Sequence, residues 1–318
     1  MPDNYPTLLV TGGCGFMGSH IIRMLLRDTR KKLPGAGVIN LDALTYAANP
    51  DNLADVAGDP RYQFVQGDIC DRELVRRVMA GVDAVIHLAA ETHVDRSIAD
   101  NRPFVTTNVL GTQTLIDAAI RAKVRRFVHV STDEAYGSLS LDPADKPFRE
   151  TDPLRPRNPY AASKAAADHL VLAAHHTHQL PGVITRSCNN FGPGQYPEKI
   201  IPLFVRRLRA GQKVPLYGDG LHVRDWLHVV DHAEAVLTVL ERGRVGEVYN
   251  IGANNPHSNL ELTRTLLRLT GRDDGFIEHV ADRPGHDRRY ELDVSKIADE
   301  LGWRASRSAW PGALKDVV

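Results

Sequence analysis

Thr7-Leu-Leu-Val-Thr-Gly-Gly-Cys-Gly-Phe-Met-Gly18 is the stretch on which the fold turns. A short apolar run meets glycines at positions 12, 15 and 18, and an amphipathic run follows without a break. Glycine permits a tight turn, lets the backbone come close to a bulky anion, and allows the next helix to pack close to the strand. The helix N-terminus then offers free N–H groups and a partial positive charge. A glycine-rich turn alone also describes ordinary loops. Its place between a strand and a helix is what favours a phosphate cradle.

Outward from this turn, apolar β-branched runs alternate with longer helical patterns. Residues 7–10, 38–41, 62–65, 84–88 and 126–130 read as strands, and 16–27, 71–79, 103–121 and 160–175 as helices. That alternation predicts a parallel sheet covered on both faces. Residues 183–186 and 245–251 read as further strands, the second returning to the same sheet. From about residue 187 proline and glycine become dense, as in Phe191-Gly-Pro-Gly-Gln-Tyr-Pro197. The expectation is a first domain over 1–186, with a returning segment near 226–251. A smaller, interleaved lobe of loops and short helices spans 187–318. No internal repeat or low-complexity segment interrupts the pattern.

Bulk properties narrow the partners. The 318 residues carry 39 basic and 39 acidic side chains, so no net charge draws the chain to nucleic acid or anionic membrane. Cys14, Cys70 and Cys188 are too few and too scattered for a disulfide framework or a zinc pattern, and no metal site is expected. Cys14 reads as a small packing residue. No apolar run approaches the ~18 residues of a membrane span. Met-Pro-Asp-Asn-Tyr-Pro6 lacks the basic and apolar parts of a secretion signal, so a reducing cytoplasm is the expected compartment.

The second strand ends at Asp42, 24 residues beyond Gly18. A carboxylate there accepts both hydroxyls of an adenosine ribose and repels a 2′-phosphate, which favours NAD over NADP. The competing reading is a cap for the turn after the strand. Asp68-Ile69, after the third strand, is placed to meet the adenine, although Asp68 also suits a helix N-cap.

Asn158-Pro-Tyr-Ala-Ala-Ser-Lys164 opens a helix with a good cap residue and proline at the first position. Tyr160 and Lys164 are four apart and share a face. An ammonium beside a phenol lowers its pKa from the usual ~10, making it a better base. Val130-Ser-Thr-Asp-Glu-Ala-Tyr-Gly137 ends the fifth strand with a hydroxyl, Thr132, followed by two carboxylates. Paired carboxylates in one site take different protonation states, one serving as acid and one as base. A solvated acidic turn is the plain alternative.

The glycine turn, Tyr160 and Lys164 together resemble the extended short-chain dehydrogenase/reductases. Four further segments narrow the likeness: His87-Leu-Ala-Ala-Glu-Thr-His-Val-Asp-Arg-Ser-Ile98, Ser187-Cys-Asn-Asn-Phe-Gly-Pro-Gly-Gln-Tyr-Pro-Glu-Lys-Ile-Ile-Pro202, Gly218-Asp-Gly-Leu-His-Val-Arg-Asp-Trp226 and Asp282-Arg-Pro-Gly-His-Asp287. With Thr132-Asp133-Glu134 they resemble the dTDP-glucose 4,6-dehydratase family over nearly the whole chain.

The resemblance implies a Rossmann-type doubly wound parallel sheet with a smaller C-terminal α+β lobe. It implies a tightly bound NAD, regenerated in each turnover, and dTDP-glucose as substrate. Tyr160 takes the proton of the sugar 4-hydroxyl, Thr132 orients that oxygen, and hydride passes from C4 to NAD. Glu134 removes the C5 proton, protonated Asp133 gives its proton to the departing C6 hydroxyl, and hydride returns to C6. The family pattern places Gly12, Gly15, Phe16, Met17, Gly18, Asp42, Leu44, Thr45, Asp68 and Ile69 against the cofactor. Leu88, Ala89, Ala90, Thr107, Tyr160, Lys164 and Asn190 complete that set. Against the nucleotide sugar it places Thr92, Thr132, Asn189, Lys199, Ile200, Pro215, Leu216, Tyr217, Arg224, Asn259, Arg283 and His286. Arg224 and Arg283 are its phosphate ligands, though arginines at a surface are mostly just solvated. Ala43 stands where the family usually has lysine, which removes one possible adenosine contact. Ala135 replaces the usual valine and Thr92 the common serine.

Two other readings stay open. One is a related sugar-nucleotide enzyme, a 4-epimerase or a UDP-glucuronate decarboxylase, in which Asp133 has no leaving hydroxyl to protonate. The other is a catalytically silent NAD-binding regulator, which would be expected to lose Tyr160, Lys164 or a carboxylate. In this family the helices at 103–121 and 160–175 pack against their copies, so a homodimer is expected, with core packing inside one subunit as the alternative.

Overall fold

The computed structural model describes residues 6–27 and 35–318. Residues 1–5, on which the reading about secretion rests, lie outside the described residues. Seven parallel strands form the central sheet: β1 (Thr7–Thr11), β2 (Gly37–Asp42), β3 (Tyr62–Gln66), β4 (Ala84–His87), β5 (Arg126–Thr132), β6 (Gly182–Ser187) and, later in the chain, Val248–Ile251. The three strands that intervene in sequence are β7 (Asn189–Phe191), β8 (Val214–Tyr217) and β9 (Val223–His228), which makes Val248–Ile251 β10. The order across the sheet is β10-β6-β5-β4-β1-β2-β3.

Successive side chains leave a strand on opposite faces, and here both faces are covered. Leu8 and Val10 pack with Ile21, Ile22 and Leu25 of the Phe16–Leu26 helix and with Val236 and Leu240 of the Val229–Arg242 helix. Leu9 between them packs on the other side with Val75, Leu115 and Val171. None of the three strand residues is measurably exposed. Each such side chain contributes roughly 1.5–3 kcal/mol by leaving water. This is why the strands read as unbroken apolar runs. The strand order reverses at β1, and the crevice beyond the strand C-termini there is where an open α/β sheet takes ligands.

Two expectations differ from the structure. The helix expected over 103–121 is broken in character: Arg102–Phe104 is α-helical, Val105–Gly111 is a π turn, and Thr112–Ala122 is α-helical again. Asn108 in this turn spends its side chain on the backbone N–H and carbonyl of Glu91 and on Ser163 Oγ. The turn brings Thr107 to the crevice. Such bulges recur at functional sites.

The region after residue 187 holds more regular structure than loops and short helices. A β11 strand (Pro256–Ser258) joins β9 and β7 in a three-stranded sheet, and β12 (Ile277–Val280) pairs with β8. The Ile200–Arg209 and Asn259–Leu269 helices cover a separate core around Phe191, Phe204, Trp226 and Leu262. Ser258 starts the second helix with a reciprocal capping box to Glu261. Three- and four-residue strands are too short to show a period, which is why they escaped the sequence pattern.

Candidate active site

The glycine turn is shaped by contacts that no other residue tolerates. Gly12 has φ +72° and gives its N–H to Leu41 O at 2.9 Å; a Cβ there would lie 2.8 Å from Ala89 N. A Cβ on Gly18 would collide with Gly12 O. Gly15 is the N-cap of the Phe16–Leu26 helix and supplies no side-chain cap, and no acidic residue occupies the first turn. The helix start therefore keeps its donors and positive end for an anion. These features fit a dinucleotide pyrophosphate.

Asp42 ends β2 inside the same cleft. Its Oδ2 accepts from Cys14 N at 2.9 Å and its Oδ1 from Leu44 N at 2.8 Å. It thus caps the turn, as the competing reading has it, and also lines the cleft. Burial raises its pKa, partly offset by those N–H groups. Leu44, at φ +55°, lies outside the cleft lining; its N–H goes to Asp42 and its side chain packs on the core.

Gly12, Gly15, Phe16, Met17, Gly18 and Thr45 line this cleft with Asp42. Asp68, Ile69, Leu88, Ala89, Ala90 and Thr107 continue its wall, and Tyr160 and Lys164 close its inner end. Asp68 does accept from Cys70 N at 2.8 Å, while the N-cap of the next helix is Asp71. Asn190 lies outside the lining; its Nδ2 donates to Cys188 O at 3.0 Å, and its Oδ1 is buried without a partner.

The Pro159–His178 helix carries the proposed proton pair. Asn158 Oδ1 accepts from Ala161 N at 2.8 Å and caps it. Lys164 is buried and gives Nζ to Val130 O at 2.8 Å. Burial lowers its pKa to about 8. The Tyr160 phenol moves opposite to the expectation. Burial and the nearby Glu134 charge push its pKa up, against the hydroxyls of Thr92 and Thr132, which favour the anion. Lys164 spends its proton on a strand carbonyl and does not dominate the phenol.

Thr132, Asp133 and Glu134 sit where β5 runs into a 3-10 turn, Asp133–Tyr136. Thr132 Oγ1 donates to Asp133 Oδ1 at 3.3 Å and accepts from Glu134 N at 3.3 Å. Asp133 is buried, with Oδ2 lacking a partner; burial and the Glu134 charge hold its pKa well above the carboxylate range. Burial raises Glu134 too, but Arg283 and Arg224 pull it back, and Asn158 Nδ2 donates to its Oε2 at 3.3 Å. Neighbouring carboxylates are thus pushed apart, as acid and base roles require. Glu134 lines a second cleft, whereas Thr132 and Asp133 lie outside the lining of both clefts. The charges of both carboxylates nevertheless act on the Tyr160 phenol.

The second cleft meets the first along Thr92, Tyr160, Glu198 and Lys199. Asn189, Ile200, Pro215, Leu216 and Tyr217 line it, together with Arg224, Asn259, Arg283 and His286. Arg224 is fixed by Val223 O and Asp287 O and lies 4.2 Å from the Tyr290 ring centroid. Arg283 Nε and Asn189 Oδ1 are buried without partners. His286 Nδ1 meets Asp282 Oδ1 at 2.6 Å, and its ring stacks on His222 at 3.6 Å. His222, Asp282 and His286 bring donor atoms within 4.8 Å of one another. The positive charges of Arg224, Arg283 and Arg288 bear on these rings, a field that favours an anion over a metal ion.

A family model described as GDP-mannose 4,6 dehydratase matches residues 9–312. A dTDP-glucose 4,6-dehydratase of Streptomyces griseus is 56% identical over 296 residues, 93% of this chain and 88% of that protein. The chain belongs to the dTDP-glucose 4,6-dehydratase family. A second member of the family, from Actinoplanes sp., is 53% identical over 298 residues, 93% of this chain and 92% of its own. The crystal structure of DesIV, a dTDP-glucose 4,6-dehydratase from Streptomyces venezuelae solved with NAD and TYD bound, superposes with a TM-score of 0.95. It is 52% identical, over 98% of this chain and 95% of that one.

Several residues of this dehydratase fold's site were not anticipated. Glu198 lines both clefts and accepts from Tyr46 Oη at 3.1 Å, while the Arg96 guanidinium lies 3.6 Å from the Tyr46 ring centroid. Ala47, Ala48, Gln195 and Tyr196 close the cofactor cleft, and Trp226, Leu203 and Phe204 floor the second. Gln195, Tyr196 and Glu198 lie in the Ser187–Pro202 segment and Trp226 ends the Gly218–Trp226 segment, so the signal for these four was their neighbourhood to Lys199 and Arg224.

Proposed function

We propose that this protein converts dTDP-glucose to dTDP-4-keto-6-deoxyglucose with NAD, for deoxysugar synthesis. The observation that carries the reading is the pair Asp133–Glu134 at the end of β5, one carboxylate buried and the other partly buried, whose surroundings separate their proton affinities beside one phenol. A 4-epimerase or a decarboxylase has no use for the first of them. The names and bound NAD of the family members support the reading.

The glycine turn holds the pyrophosphate of NAD, Asp42 its adenosine ribose, and Asp68 and Ile69 its adenine. When bound, NAD supplies a cationic ring beside the phenol and takes hydrogen with its electron pair from C4, returning it at C6. Beside that cation the burial and the Glu134 charge that keep the phenol protonated are offset, so that Tyr160 acts as phenolate and its Oη receives the proton of the C4 hydroxyl, while Thr132 Oγ1 orients that oxygen. With a ketone at C4, the C5 proton becomes acidic, and Glu134 takes it as an ionised carboxylate. Asp133, kept protonated by burial, passes its proton to the C6 hydroxyl, which leaves as water. Arg224, Arg283 and Lys199 hold the diphosphate, with Asn189, Asn259 and His286 around it. The sheet of 1–186 serves the cofactor and the interleaved lobe of 187–318 the nucleotide sugar.

Among the described residues no helix is long and apolar enough to cross a membrane. We assign the enzyme to the cytoplasm, and to a homodimer through the helices around 102–122 and 159–178, where Val105 and Leu110 are half exposed. Incubation with dTDP-glucose and UDP-glucose in separate vessels tests the activity. Loss of one water, read by mass from the first substrate only, is the expected result; no loss from either refutes it.

A further inference from the structure

One buried ion pair lies behind the active site with no part in the chemistry above. Asp168 is on the Pro159–His178 helix, four residues and one turn beyond Lys164, so both side chains leave the same face. It has no exposure to solvent. Arg186 of β6 donates from Nε to Asp168 Oδ2 at 2.8 Å, and from NH1 to Tyr136 Oη at 2.9 Å; Tyr136 in turn donates to Asn250 Oδ1 at 2.8 Å. The guanidinium on β6 is thereby tied to the Pro159–His178 helix, to the 3-10 turn after β5 and, through Tyr136, to β10.

The other Asp168 oxygen, Oδ1, is differently placed. His129 Nε2 of β5 lies 3.4 Å away, too poorly aligned for a hydrogen bond, and Oδ1 is buried without a partner. An ionised carboxylate buried with an unused oxygen is unfavourable unless its charge has further work. Arg186 accounts for one side of it only.

The groups around Lys164 show what that work is. From its own helix comes Asp168, with Tyr160 one turn before Lys164 on the same face, from β5 His129 and from β4 His87. His87 bridges Thr11 Oγ1 and Thr112 Oγ1 at 2.8 and 2.9 Å, and burial keeps both histidines neutral. Asp168 is therefore the anion that acts on the ammonium, which has otherwise only a strand carbonyl to hold it.

We propose that Asp168, clamped by Arg186, is a positioning residue that keeps Lys164 charged and aimed along the floor of the cofactor cleft. The inference rests on the dehydratase reading only for what the charge is used for; the electrostatic coupling stands without it. Burial opposes the ammonium and has already brought Lys164 down to about 8. Withdrawing the carboxylate carries it further, into the range where a working enzyme loses the proton.

The test reads that charge directly. The full chain, as purified with its cofactor, is labelled with 13Cε-lysine and titrated by NMR; the Lys164 signal is the one missing from Lys164→Met. In Asp168→Asn the Lys164 midpoint is expected to fall by about one pH unit or more, a tenfold loss of proton affinity. Asp168→Glu restores it. Because Asp168→Asn leaves Arg186 buried and unpaired, the variant Asp168→Asn/Arg186→Gln, which removes both charges together, is titrated in parallel and is expected to shift the same way. In kcat against pH, the alkaline limb moves down with the NMR midpoint. A midpoint unchanged in whichever Asn-containing variant folds overturns the proposal, whether or not the enzyme turns over dTDP-glucose. A shift without any dehydratase activity in the parent leaves the coupling standing and refutes the functional reading instead.

Discussion

Asn158 holds Glu134 with one end of its amide and the Tyr160 helix with the other. Its Nδ2 donates to Glu134 Oε2 at 3.3 Å while its Oδ1 accepts from Ala161 N at 2.8 Å. One side chain thereby fixes the group assigned to C5 relative to the group assigned to the C4 hydroxyl. Asn158→Ser keeps a capping oxygen and loses the donor to Glu134. The unfolding free energy is expected to stay within about a few tenths of a kcal/mol of wild type, while the rate of solvent deuterium entry at C5 falls at least several-fold. Asn158→Ala loses both and costs an additional ~1 kcal/mol in unfolding. Equal C5 exchange in Ser and wild type removes the link.

Glu134→Gln and Asp133→Asn separate the two halves of the elimination. Each lowers kcat by about 100- to 10,000-fold, the usual worth of a positioned acid or base. Glu134→Gln abolishes deuterium entry at C5. Asp133→Asn leaves some entry at C5 but stops water loss. The same loss pattern in both variants contradicts the division of roles.

The pH dependence of stability has a defined sign. Burial holds the folded-state pKa of Asp133 far above its unfolded value. Its contribution to stability is complete below about pH 4 and is lost as pH rises through the folded pKa. Asparagine has no such loss. The Tm of Asp133→Asn relative to wild type is therefore expected to grow as pH rises from about 4 toward the raised folded-state pKa, by calorimetry. A falling difference is the opposite result. Activity shows a bell: the acid limb reports the raised Glu134 and the alkaline limb Lys164, near 8.

Gly12→Ala meets both a left-handed backbone and a Cβ 2.8 Å from Ala89 N. The strain costs on the order of 1–3 kcal/mol and displaces the phosphate-facing N–H groups. Purified variant is expected to carry little or no NAD, measured by release on denaturation. Full NAD content in this variant speaks against the cradle.

Leu110 and Val105 protrude from the helical face proposed to meet a second copy. Leu110→Glu places a charge in that contact and is expected to yield monomers by light scattering, with Tm lowered. An unchanged mass assigns the dimer, if any, to another face.

What the sequence disclosed follows from how far apart the interacting parts are. The buried strands are apolar because helices cover both faces, and the glycines at 12, 15 and 18 are forced by contacts within one turn, so both were legible. Asn158 before Pro159 announced its cap. The π turn at Val105–Gly111 was hidden because its cause, the Asn108 bonds to Glu91 and Ser163, spans 17 and 55 residues. The strands β7, β8, β11 and β12 were too short to show alternation. Tyr160 illustrates a different limit: spacing identified its neighbour Lys164, but burial and Glu134, invisible in a linear pattern, decide the phenol's proton affinity.

Thr92, Tyr160, Glu198 and Lys199 form a party wall between two rooms. No change to it is private to one tenant. A mutation that widens the second room at this wall also alters how firmly the dinucleotide is kept, whereas Pro215, Leu216 and Tyr217 line the second room alone, so changes there touch only one occupant.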